Sequence, residues 1–189
     1  MDKRKIKNLS DEELYNLFYE DKSRAKLAFE ELYNRYSTKI YTYCNRILFD
    51  SELAEDVFQE TFMKFFESAN KDRDMTNVSA FLFKIARNLC INEKQRKHHS
   101  FLTFEELIYP VQEKSYESQE KKELLETALD ALPKKYREVL VLKEFLGLSY
   151  KEIAEVLETT LPSVRIRIYR AKQKIRELLA PYIDDYQEE

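Results

Sequence analysis

Glu52, Asp56, Gln59 and Glu60 stand at i, i+4, i+7 and i+8, a spacing that places all four on one face of a helix. Paired carboxylates can perform general acid–base work or hold a metal ion. Here no histidine accompanies them: the chain has two, His98 and His99, in a stretch with no visible partner set. Cys44 and Cys90 are the only cysteines, each inside an apolar stretch, which predicts reduced core thiols and no zinc set. No catalytic group, metal ligand or cofactor site is therefore expected. The carboxylates read better as charge. From Asp50 to Glu67, Asp50, Glu52, Glu55, Asp56, Glu60 and Glu67 oppose Lys64 alone. Such a stripe repels DNA, so it is either an ordinary solvated face or a docking face for something other than DNA.

The opposite charge gathers near the C-terminus. Between Leu161 and Glu177, Arg165, Arg167, Arg170, Lys172, Lys174 and Arg176 oppose only Glu177. Val164, Ile168, Ala171, Ile175 and Leu178 recur at helical spacing, predicting one buried face and leaving Arg165, Ile166, Tyr169 and Arg170 on another. Ser149 and Glu152 have capping-box spacing and open a helix through Leu157. Residues 158–160 supply a turn, Thr160 can cap the next helix, and Pro162 is tolerated in its first turn. Helix, short turn and basic helix make a helix-turn-helix, the arrangement that lays a recognition helix in the DNA major groove. Its cations suit phosphate neutralisation, and an arginine reaching a guanine edge adds about 1–3 kcal/mol of discrimination. A solvated basic face is the bland alternative, but it leaves the turn and its caps unexplained.

Both charged stretches need helices to carry them, and the rest of the chain predicts helices too. One glycine and four prolines in 189 residues are too few for a turn-rich sheet protein, while 43% apolar residues can build a real core. Ser10 with Glu13 opens a short helix bearing Leu14, Leu17 and Phe18. Phe29, Leu32, Tyr33, Tyr36, Ile40, Cys44, Ile47 and Leu48 mark a long one. A third starts near Ser51, with Leu53, Val57, Thr61, Phe62, Phe65 and Phe66 inward, and a loop follows over 68–77. A fourth runs from about Ser79 to Lys97, with Phe81, Leu82, Ile85, Ala86 and Leu89 inward. The pattern breaks from His98 to about Ser118, read as a linker with a short turn of helix at 104–108. Helices resume from Gln119, with Pro133 suited to a first turn and Gly147 to a C-terminal cap. The expectation is an all-α chain of two small helical bundles, 9–97 and 119–185, joined by the linker 98–118. No signal peptide and no apolar run of about 18 residues is visible, so neither secretion nor membrane insertion is expected.

Four ordered stretches, "DVFQETF", "KIARN", "ALPKKYREV" and "LSYKEIAEVL", are together highly specific. The chain resembles the extracytoplasmic-function (group 4, sigma-70 family) RNA polymerase sigma factors over about 9–97 and 119–179. The resemblance implies a cytoplasmic, non-enzymatic initiation subunit that directs polymerase to promoters, with a sigma region 2 bundle, a linker, and a region 4 bundle holding the helix-turn-helix. It implies that Glu52, Asp56, Gln59, Glu60 and Lys64 dock on the clamp helices of the polymerase large subunit. It places Asn88, with the loop 70–77, around an extruded base of the −10 element, beside Asn92. Lys84, Arg87, Lys94, Arg96 and Lys97 would meet phosphates. Arg165, Ile166, Tyr169 and Arg170 match the positions that read the −35 element, with Ser163, Arg167 and Lys174 beside them. An anti-sigma protein is a common partner in the family. No further regulatory domain is expected beyond Tyr182.

Several positions depart from the family pattern. Phe81 stands in place of Trp and Asn92 in place of Asp; the 70–77 loop lacks an aromatic; Leu161–Pro162 replaces a Gly-containing turn; Ile166 replaces a small polar residue. An isoleucine can touch a thymine methyl but cannot hydrogen-bond a base edge, so an unusual −35 sequence is expected. Three rivals stay open at this stage: a stand-alone helix-turn-helix regulator, a helical interaction protein with solubilising charge, and a carboxylate-dependent metal hydrolase.

Overall fold

The computed structural model describes residues 3–21, 23–68, 75–100, 124–125 and 127–183, and every regular element among them is helical. They group into two compact units, one of residues 1–100 with Lys151–Thr159, the other of Phe101–Tyr150 with Thr160–Glu189.

The first unit is built around α3 (Ala25–Leu48), which packs on α2 (Asp11–Glu20), α4 (Ser51–Ser68) and α5 (Val78–Ser100). A short α1 (Lys3–Ile6), unannounced by the sequence pattern, adds the buried Ile6. Ser10 caps α2 as its spacing predicts: its hydroxyl accepts from the Glu13 amide at 3.1 Å, while Glu13 accepts from the Ser10 amide at 2.6 Å. Those hydrogen bonds hold the Glu13 carboxyl below its usual range. Ser10→Ala should lower stability by about 1 kcal/mol, read as a shift in the urea midpoint at unchanged slope.

Phe65 is fully buried and meets Tyr15, Phe18, Phe29 and Phe81 with ring centroids 6.0, 6.4, 6.5 and 6.1 Å away. Phe81 thus fills its place by packing alone. Thr61, on the apolar face of α4, is buried at no cost in hydrogen bonding because its hydroxyl donates to the Val57 carbonyl at 2.7 Å. Phe66 departs from expectation, lying 56% exposed. Cys44 and Cys90 are buried and free, and hydrogen bonding to Cys90, then burial, pushes the Cys44 thiol up. Two features escape periodicity. Arg35 reaches across from α3 to Asp11 (2.7 Å) and the Lys7 carbonyl (2.9 Å), and the Tyr36 hydroxyl donates to Asp11. The two bonds to Asp11 join α2 and α3 through side chains 24 and 25 residues apart.

In the second unit, α6 (Lys134–Leu140) runs into a π-helical turn (Val141–Phe145), and α6 packs on α8 (Leu161–Ile183). Pro133 serves as the N-cap of α6, one place earlier than predicted. Arg137 closes the preceding turn, donating to the Leu129 carbonyl at 2.9 Å and to that of Asp130. The π turn ends where Leu146 donates to the Val141 carbonyl at 3.2 Å, and Gly147 follows with φ +72°. Open space surrounds a Cβ at Gly147, so its backbone angle, not crowding, favours glycine. The buried set includes Leu132, Tyr136, Val139, Leu142, Leu146, Val164, Ile168 and Ala171.

Candidate nucleic-acid and protein interfaces

The basic helix is α8. Thr160 caps it, its hydroxyl accepting from the Ser163 amide at 3.3 Å and lying 2.9 Å from the Ser163 hydroxyl. The preceding α7 (Tyr150–Val156) ends in a turn closed by Thr159 donating to the Ala154 carbonyl at 2.9 Å, with Glu158 left-handed at φ +49°. Leu161 and Pro162 occupy the first turn of α8, as the sequence predicts. Val164, Ile168 and Ala171 are buried; Arg165, Arg170 and Lys174 are exposed, and Arg167 is half-buried. Ile166 and Tyr169 are 52% and 63% exposed, which folding alone does not reward. Gln173 donates to the Tyr169 hydroxyl at 2.8 Å and so belongs to the same surface; its i+4 spacing from Tyr169 was the signal in the sequence. Lys172 is instead held by Glu144 at 2.8 Å. The predicted buried stripe stops at Ala171, since Ile175 is half-buried and Leu178 is exposed.

The acidic stripe is carried by α4, whose first turn is capped by Asp50 accepting from the Leu53 amide at 3.0 Å. Glu52, Asp56 and Gln59 are exposed; Glu60 is half-buried and pairs with Lys64 at 3.3 Å. Met63 is 61% exposed, and with Phe66 it continues the line of Asp56 and Gln59 at i, i+3, i+7 and i+10. This face is an acidic head with an apolar tail. Inward assignment of Phe66 concealed that tail from sequence reasoning.

Between α4 and α5 lies a groove of about 440 Å³ lined by Glu60, Lys64, Ile85, Asn88, Leu89, Asn92, Glu93 and Arg96. It unites residues expected in two different sites: Lys64, assigned to the acidic face, borders Asn88 and Asn92. Both asparagines are exposed, offering amide donors and acceptors beside the apolar floor of Ile85 and Leu89. Arg96 is tied to Glu93 at 2.9 Å, and Lys94 sits 5.4 Å over the Phe49 ring. Asn77 caps α5, its side-chain oxygen accepting from the Ala80 amide at 3.0 Å. Lys84 pairs with Glu158 at 2.5 Å. The Lys97 side chain, the 70–77 loop before Met75, and the expected helical turn at 104–108 lie outside the described residues.

None of the described helices is long and apolar enough to cross a membrane. Two family models match the chain, sigma-70 region 2 over residues 32–100 and sigma-70 region 4 over 122–175. The chain is 30% identical over 164 residues to the ECF RNA polymerase sigma factor SigM of Bacillus subtilis (strain 168), covering 84% of this chain and 99% of that one. Its fold is similar to that of CnrH, solved with the cytosolic domain of CnrY, at TM-score 0.68 and 23% identity over 90% of this chain and 97% of that chain. It is likewise similar to RpoE of Bartonella quintana, solved with the anti-sigma factor NepR, at TM-score 0.67 and 23% identity over 80% and 96% of the two chains. With its helix-turn-helix, its matched regions and this identity to SigM, the chain belongs to the extracytoplasmic-function sigma factors of the sigma-70 family, the subunits of promoter-specific transcription initiation by RNA polymerase.

Proposed function

We propose a division of labour among three surfaces. The α4 face of Glu52, Asp56, Gln59, Glu60, Met63 and Phe66 grips the basic clamp helices of the polymerase large subunit. The α4–α5 groove takes an extruded −10 base, with Asn88 and Asn92 on its polar edge and Lys64 at its rim. Lys84, Arg87, Lys94, Arg96 and Lys97 neutralise backbone phosphates around it. Unstacking a base costs a few kcal/mol, which a fitted pocket and backbone cations offset. In α8, Arg165, Ile166, Tyr169 and Arg170 face the −35 element, flanked by Ser163, Arg167, Gln173 and Lys174. Residues 9–97 and 119–185 then act as separate gripping bodies, with 98–118 as the tether between them.

The observation that carries this reading is the sorting of charge and apolar exposure by helix face: acid with Met63 and Phe66 on α4, base with Ile166 and Tyr169 on α8. The chain supplies no chemistry of its own and works in the cytoplasm, where the polymerase is. An anti-sigma protein fits as a further partner, an inference supported by the NepR complex of the Bartonella relative.

The test is transcription in vitro by core polymerase with this chain on a genomic library, mapping start sites. Arg170→Ala should weaken holoenzyme binding to the promoter so found by about 1–3 kcal/mol and relax its preference at one −35 position. Unchanged promoter choice would remove Arg170 from the reading set. A chain that fails to co-purify with core polymerase yet binds operators would be a stand-alone regulator instead.

A further inference from the structure

Helix α3 ends at Leu48 and α4 starts at Ser51, so Phe49 and Asp50 make the whole corner between them. Phe49 turns the chain in the left-handed region, at φ +57° and ψ +31°, with its N–H donating to the Asn45 carbonyl at 2.9 Å. Glycine takes that conformation without steric strain, whereas a bulky side chain is an outlier there. Burial offsets the strain only in part, because Phe49 is 42% exposed. The ring is engaged instead by α5: the Lys94 ammonium lies over it, 5.4 Å from the centroid. A ring is neutral, so this contact orients the ammonium without cancelling its charge. We propose that Phe49 is a positioning residue for promoter DNA, its ring holding Lys94 where a phosphate of the −10 strand will sit, in a corner whose strained backbone is kept for that purpose.

The inference rests on the assignment of Lys94 to a −10 phosphate, and it adds the group that aims it. Lys94 stands seven residues beyond Arg87, on the same face of α5 and two turns, about 10.5 Å, further along. The two cations form a row that the backbone of a single strand can follow. A lysine stem loses rotamer freedom when it grips a phosphate. Over the Phe49 ring, part of that ordering is present before DNA arrives, and such preorganisation strengthens binding without a new contact to the strand. Backbone strain held at a binding surface fits the same reading, since strained residues persist where their placement serves the site.

The experiment assembles variants with core polymerase and titrates binding to the promoter obtained from start-site mapping, over a range of salt concentrations. Phe49→Ala should bind about threefold more weakly. Its dependence of log affinity on log salt should flatten toward that of Lys94→Gln, by up to about 0.7, the share of one single-strand phosphate. Phe49→Tyr retains the ring and should restore both properties. In the Lys94→Gln background, Phe49→Ala should have no further effect on binding. Stability is read separately, by urea unfolding of the free chain. Phe49→Gly should unfold at higher urea than Phe49→Ala, because glycine relieves the left-handed backbone, yet bind promoter as weakly. A loss of binding that follows the urea midpoint, present in Phe49→Ala and absent in Phe49→Gly, assigns the ring to folding and overturns the proposal. Unchanged binding and salt dependence in Phe49→Ala, beside a loss in Lys94→Gln, overturns it while leaving the Lys94 assignment standing. No effect of Lys94→Gln removes that assignment and the proposal with it.

Discussion

Asp56→Arg should remove the chain from core polymerase while leaving its DNA affinity nearly intact. Asp56 is exposed in the middle of the α4 stripe, with Glu52 one turn before it and Gln59 and Glu60 one turn after. Against a basic partner, reversing the central charge replaces an attraction by a repulsion, and like-charge juxtaposition across an interface costs several kcal/mol. Pull-down with core polymerase should fall by well over tenfold, and start-site-specific transcripts should vanish with it. Anisotropy with duplex DNA should stay within about twofold, because the proposed function assigns that task to α8. Phe66→Ala refines the result. Its ring touches Phe18 and Phe29 at 5.2 and 5.5 Å, yet it is 56% exposed, so its loss should weaken polymerase capture more than it weakens the fold. Polymerase binding unchanged in both variants would separate α4 from the docking role.

Phe65→Ala, one residue away, should do the reverse. Phe65 is fully buried among four rings contributed by α2, α3 and α5. Truncating a core phenylalanine costs about 3–5 kcal/mol through lost transfer energy and the cavity left behind. That is a large part of the roughly 5–15 kcal/mol that stabilises a typical domain. Urea unfolding followed by circular dichroism should show an early transition for the helices of the first unit, and polymerase binding should fail because the α4 face is no longer held. The contrast between neighbours tests the packing. If Phe65→Ala proves as mild as Phe66→Ala, the aromatic cluster around Phe65 is not the centre of the first unit.

Neighbouring residues also mark the limit of what periodicity reveals. Leu53, Val57, Thr61, Phe62, Phe65 and Phe66 fit one inward arc of α4, but Phe62 and Phe65 are buried and Phe66 lies at the edge of that arc. The same holds in α8, where the repeat Val164, Ile168, Ala171, Ile175, Leu178 is unbroken in sequence and the burial ends at Ala171. A repeat gives the phase of a helix face. How far another element extends over that face is fixed by the partner's length and position, and the repeat holds no record of either.

By itself, the sequence determined that the chain is helical, where most helices begin, and which of them carry acid and which base. Those properties follow from local physics: capping hydrogen bonds at Ser10 and Thr160, one glycine in the whole chain, and charge placed at helical spacing. The four ordered stretches determined the family. Only the tertiary structure decided that Lys64 shares a groove with Asn88 and Asn92, that Arg35 and Tyr36 fasten α3 to Asp11, and that Lys84 meets a carboxylate 74 residues further along the chain. Each of these joins side chains from segments far apart in the sequence. A polar group's partner is whatever donor or acceptor the packed core brings within about 3 Å, and that distance is set by the burial of apolar faces, not by the residues that finally meet.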